Sequence, residues 1–206
     1  MRIGEIAIIQ SGYQFRGKVE PDADGNVALL QIKDIEDRRR ITPETLNRVE
    51  IEKSSEPYLI NRGDVLFLSR GHKLFALAIE ADMPDTIASG YFYILRLLTD
   101  QLRPAFLAWY INQAPFQEQL AQLSQGSHMP FVSKSKFQDL SIPIPALELQ
   151  NIIVALSDLA EEEQSILRAL SEKRAALINA ITLSTTTNAA TAVSTIRSAL
   201  SHRTTP

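Results

Sequence analysis

One apolar stripe constrains this chain more than any other feature. Stepping alternately by four and three residues from Leu149 lands on Leu149, Ile153, Leu156, Ala160, Glu163, Leu167, Leu170, Arg174, Leu177 and Ile181. That is a sustained heptad seam, broken only by Glu163 and Arg174. Ile152, Leu159 and Ile166 lie beside it and widen it. The spacing predicts a helix from Leu147 to Leu183, about 55 Å long at 1.5 Å per residue, whereas a small domain is only about 30 Å across. Apolar surface left in water costs about 25 cal/mol per Å², so the stripe requires a partner helix. Only one such segment exists here, so the partner comes from another chain or from a second copy. The competing arrangement folds the helix back on the chain's own body.

The rest of the chain must supply that body. With 206 residues, 45% hydrophobic and 22% charged, there is enough material for one core-bearing domain plus an appendage. Cysteine is absent, which excludes disulfides and thiolate metal sites. The stretch MRIGEIAIIQSGYQ has too short an apolar run for a signal peptide, and no segment reaches the roughly 18 apolar residues of a membrane span. The expectation is a soluble, cytoplasmic protein. Its net charge of −3 argues against bulk electrostatic binding of DNA, though not against a shaped surface with a few placed cations.

Residues 1 to about 99 read as mostly β. VALLQIKDI, YLINRGDVLFLS, LFALAIEA and GYFYILRLL have strand composition. Asp24-Gly25 reads as a hairpin dipeptide, and Asn61-Arg62-Gly63-Asp64 as a turn entering a strand. Asp100 is the expected N-cap of a helix with Pro104 in its first turn. Pro115 then separates a second short helix that ends at Gly126. PFVSKSKFQDLSIPIP reads as irregular or extended. The fold class is therefore α+β: a β-rich domain over residues 1–145 with helices near 104–125, and one long coiled-coil helix over 146–183. A Ser/Thr/Ala-rich tail of weak order follows over 184–206.

No catalytic signature is present. The sequence lacks Walker A, G-x-G-x-x-G, H-E-x-x-H and G-x-S-x-G motifs, and His72, His128 and His202 lack metal-ligand spacing. What remains are polar loops between strands. The first carries Tyr13, Gln14, Arg16 and Lys18; the second Lys33, Arg38, Arg39 and Arg40; the third Arg70, His72 and Lys73; the fourth Ser127 and His128. Arg and Lys read guanine, Gln reads adenine, and hydroxyls and lysines hold phosphates. The bland reading of each loop alone is a solvated surface.

Taken in order, these stretches resemble one half of the specificity subunit of type I restriction–modification enzymes. The matching pieces are IGEIAIIQSGYQFRG, LINRGDVLFLSRG and ASGYFYILRL. They are followed by the helix pair, a small polar turn, and Leu140 through Gln150 leading into the long helix. The resemblance covers residues 1–183. It implies a target recognition domain that ends at Pro143 and Pro145, which aim the helix outward as spacer and dimerisation seam. Family members usually carry two such domains whose helices pack antiparallel, so this chain resembles a half-size subunit. The implied partners are double-stranded DNA, methyltransferase subunits, a motor or restriction subunit, and a second copy of itself. S-adenosylmethionine, ATP and Mg would reside on partner subunits, with no cofactor or catalytic role in this chain. Glu163 and Arg174 would meet across an antiparallel seam and fix its register. Two other readings stay open: a coiled-coil adaptor with no DNA role, and a half-subunit that pairs with a different specificity subunit.

Overall fold

In the computed structural model, residues 1–35, 41–123 and 130–201 are described. The chain divides into two units, Met1–Leu156 and a second beginning at Ser157. The first unit starts with a short helix α1 (Ile3–Ile6), followed by β1 (Ala7–Ser11), β2 (Val27–Leu30), β3 (Arg48–Val49) and β4 (Val65–Leu68). After these come β5 (Ala76–Ala78), β6 (Thr86–Ala88), β7 (Phe92–Leu97), α2 (Pro104–Ile111), α3 (Ala114–Leu123) and α4 (Lys134–Gln138). The last helix, α5 (Leu147–Ser201), begins in the first unit and continues in the second.

The strands form two sheets. One is antiparallel with order β1-β7-β4-β5; the other has order β3-β2-β6, with β2 antiparallel to β3 and parallel to β6. Side-chain alternation along the first sheet explains the layering. Ile9, Val65, Phe67, Tyr93 and Leu95 pack with Ile3, Phe106, Leu107, Phe116 and Phe137 of the helices. The intervening Leu66, Leu68, Phe92 and Ile94 pack instead with Leu30, Ile60 and Ala88 around the second sheet. Strand β4 is therefore covered on both faces, which is why its sequence, VLFL, is continuously apolar rather than alternating.

The outer face of the second sheet has its own small cluster. Val27, Leu29, Val49 and Ile87 of the sheet are capped by Ile51, Tyr13, Phe15, Val19 and Tyr58. The Tyr13 ring meets Phe15 and Tyr58 edge-on, at centroid distances of 4.7 and 5.1 Å. The loop after β1 is thus fastened by aromatic residues rather than left loose.

Several local expectations hold. Asn61–Asp64 is a turn into β4: the Asp64 amide donates to the Asn61 carbonyl at 3.0 Å, and the Asn61 amide donates to Asp64 Oδ2 at 2.8 Å. Gly63 has φ +95°, a backbone region that favours glycine. Other expectations need correction. Asp24-Gly25 closes a turn, with the Gly25 amide on the Asp22 carbonyl, but joins no hairpin, because β1 pairs with β7 and β2 with β3 and β6. The residue capping α2 is Arg103, not Asp100, and Pro104 occupies the first helical position. The stretch 130–145 contains α4, begun by Ser133, whose side chain accepts from the Lys136 amide. Gly126, the expected end of α3, lies outside the described residues.

The start of α5 belongs to the first unit. Gln150 is fully buried: its Nε2 donates to the Gln101 and Pro145 carbonyls at 2.8 and 2.7 Å, and its Oε1 accepts from the Arg103 amide at 2.8 Å. Ile153 and Val154 pack on the same core as α2. Ile153 is therefore a core contact, not part of a free seam, and the first unit extends beyond residue 145 to Leu156. In the second unit, Leu159, Ile166, Leu167, Leu170, Leu177 and Ile181 are all exposed. The helix also continues past Leu183 into the Ser/Thr/Ala stretch, up to Ser201. Hydroxyls there bond back to the helix: Thr182 donates to the Ile178 carbonyl, Thr185 to Ile181 and Thr186 to Thr182, so these three side chains are satisfied within the helix. Among the described residues, no helix is long and apolar enough to cross a membrane.

Candidate nucleic-acid interface

Tyr13, Phe15 and Val19 point into the cluster on the second sheet, so the residues between them point out. Gln14, Arg16 and Lys18 are exposed while Tyr13 and Phe15 are half-buried. This alternation turns an anchored loop into a presenting one. The loop also crosses very close to the β6–β7 turn. The Gly12 amide donates to the Phe92 carbonyl at 2.9 Å and the Tyr13 amide to the Ala88 carbonyl at 2.8 Å. A Cβ on Gly12 would lie 2.3 Å from the Ser89 carbonyl oxygen, so only glycine fits the crossing.

Two more segments converge there. The Ser89 amide donates to the Leu30 carbonyl, which brings Gln31, Ile32 and Lys33 alongside. The Ser69 amide and hydroxyl both donate to the Tyr91 carbonyl at 2.9 Å, placing Arg70 next to the same turn. Arg70 is itself held, its guanidinium 4.8 Å from the centre of the Phe131 ring. Backbone bonds from Gly71 to Pro130 and from Val132 to Ser69 fasten that pairing. Behind it, the Tyr93 hydroxyl donates to the Val132 carbonyl at 2.9 Å. Burial raises the Tyr93 pKa, with Ser69, Arg70 and the Lys134 backbone opposing, so the phenol stays a donor at neutral pH.

These segments line an open cavity of about 460 Å³ whose walls include Tyr13, Gln14, Phe15, Lys33, Arg70 and Tyr91. Of the loop residues singled out in the sequence, Tyr13, Gln14, Lys33 and Arg70 come together here. Arg16 and Lys18 are exposed on the same loop, and His72 and Lys73 are exposed beyond Arg70, but none of the four lines the cavity. Arg38, Arg39, Arg40, Ser127 and His128 lie outside the described residues. Gln31, Ser89, Gly90 and Tyr91 also contribute walls and were not singled out. The one usable signal for them was composition, since Ser89-Gly90-Tyr91 has the small-residue and aromatic make-up of the other loops. The Ser89 hydroxyl is buried and has no hydrogen-bond partner among the described residues. No group of His, Asp or Glu among the described residues is arranged to hold a metal ion.

Such a surface combines cations that donate but never accept, amides that do both, and aromatic rings, on loops held by rigid sheets. A family model described as the type I restriction modification DNA specificity domain matches residues 1–173. The chain belongs to the type I DNA specificity domain family. Solved structures agree in fold. One, from work on complex assembly and conformational transition of the type I restriction–modification system, aligns with a TM-score of 0.62 and 24% identity. It covers 85% of this chain and 41% of its own. The HsdS subunit from Thermoanaerobacter tengcongensis gives 0.57 and 24%, covering 81% and 38%. The S subunit of the type I restriction–modification system from M. genitalium gives 0.54 and 14%, covering 82% and 40%. The chain thus spans about two fifths of the length of these three matched chains. No curated protein matches it.

Proposed function

We propose that this chain is a non-catalytic DNA-recognition subunit of a type I restriction–modification complex. In this reading the loops around the 460 Å³ cavity face the major groove and α5 pairs with α5 of a second copy. Membership of the specificity-domain family supports the first half. The observation that carries the second is the exposed seam: Leu156, Leu167, Leu170, Leu177 and Ile181 are each more than half exposed on one helix. A two-fold pair would bury that stripe, with Glu163 and Arg174 setting its register in an antiparallel arrangement.

Symmetry then dictates the kind of site. Two identical domains related by a two-fold axis read two inverted, identical half-sites, and the paired helices set the gap between them. Methyltransferase subunits would bring S-adenosylmethionine and the adenine chemistry, and a motor subunit would bring ATP and Mg for restriction. Shared phosphate contacts with those partners reconcile the role with a net charge of −3. The complex would act in the cytoplasm, where chromosomal DNA lies.

Selection of duplexes from a randomised pool by the full chain tests this. The expected product is a bipartite motif with inverted halves at one fixed spacing. A single half-site would refute self-pairing and favour pairing with a different specificity subunit. No enriched motif would refute DNA recognition.

A further inference from the structure

Among the exposed side chains around the cavity, Gln14 has an orientation fixed by the backbone. Its Nε2 donates to the Gly90 carbonyl at 2.9 Å, across 76 residues of sequence. Both ends of that bond are anchored. Tyr13 is bonded to Ala88 and packed against Phe15 and Tyr58, while Ser89 and Tyr91, the neighbours of Gly90, are bonded to Leu30 and Ser69. A carbonyl oxygen only accepts, so the amide must keep its nitrogen toward Gly90; the flipped amide would set two oxygens against each other. With one N–H taken, Gln14 presents one remaining N–H and the oxygen Oε1.

That pair of groups has one good match among base edges in the major groove. Adenine shows the N7 acceptor beside the N6 amino donor. Guanine shows two acceptors, N7 and O6, and would face Oε1 with O6. Thymine and cytosine each offer one polar group there. Gly90 makes the arrangement possible, because a Cβ on it would lie 2.2 Å from Gln14 Nε2 and 2.3 Å from Cδ. We infer that Gln14, locked by the Gly90 carbonyl, is the specificity-determining residue that reads one adenine in each half-site through N6 and N7. This rests on the cavity's loops facing the major groove.

The obstructing atoms are the end of an exposed side chain held in place by that one hydrogen bond. Gly90→Ala therefore displaces the amide while leaving the fold in place, and Gln14→Ala removes it. The full chain and both variants are each used to select from a randomised duplex DNA pool, with thermal midpoints measured in parallel. The wild type enriches a motif containing an A·T pair in each half. Both variants enrich the same motif with the adenine preference at that one position reduced by about tenfold or more, at an unchanged midpoint for Gly90→Ala. Retention of the full adenine preference by either variant overturns the inference. A uniform loss of affinity for all sequences also overturns it, since Gln14 would then be a backbone contact; in both cases DNA recognition stands. A wild type that enriches nothing overturns the inference together with the reading beneath it.

Discussion

Replacing Gln150 by Met tests how the start of the long helix is joined to the rest of the first unit. The two side chains are similar in volume, so the substitution leaves no large cavity and acts through polar groups. It removes three hydrogen bonds at once: those to the Gln101 and Pro145 carbonyls and that from the Arg103 amide. Arg103 caps α2 and Pro145 stands just before α5, so this one amide ties the ends of two helices. A typical intramolecular hydrogen bond contributes about 1 kcal/mol net, which gives a loss of about 3 kcal/mol. For a unit of this size, that corresponds to a fall in Tm of about 6–12 °C. Urea unfolding followed by circular dichroism reads the free energy, and hydrogen exchange at the Arg103 amide reads the site. A loss below about 0.5 kcal/mol, with Arg103 exchange unchanged, would refute the reasoning.

Gly12→Ala sets a Cβ against the Ser89 and Ala88 carbonyl oxygens at 2.3 and 2.6 Å. It should destabilise the fold by several kcal/mol, in the upper range for point changes. Gly17→Ala, with nothing within 4 Å, should stay within about 0.5 kcal/mol in the same melts. Burial raises the pKa of Asp64, with the Asn61 backbone bond and Arg96 opposing it. The folded state therefore holds that proton more tightly than the unfolded chain. This stability is fully present below the ordinary value of 3.8 and is lost as pH rises through the folded value. The Tm difference between Asp64→Asn and wild type should move in favour of the variant as pH rises from about 4 to about 7; a constant or opposite difference rejects it. Truncation after Leu156 keeps Gln150, Ile153 and Val154 and deletes the exposed seam beyond Leu156. Light scattering should show a dimer for the full chain and a folded monomer for the truncated one.

Features legible in the sequence are those fixed by neighbours a few residues apart. The heptad from Leu149 marks a helix because residues three and four apart share a face. Asn61–Asp64 marks a turn because its bonds span three residues. Val65–Leu68 is recognisable as a strand, and the order of the loops sufficed to suggest the specificity-subunit family. Tertiary structure decided the rest, because the deciding contacts cross long stretches of chain. Nothing near Ile153 distinguishes it from Leu156, yet the first packs on the domain core and the second is exposed. The parallel pairing of β2 with β6 joins residues 28 and 86, which no local pattern encodes. The same holds for the candidate interface: Tyr13, Lys33 and Arg70 line one cavity beside the crossing that Gly12 permits. Gln14 gains a single orientation only because the fold carries Gly90 to it, and a hydrogen bond spanning 76 residues leaves no trace in local sequence.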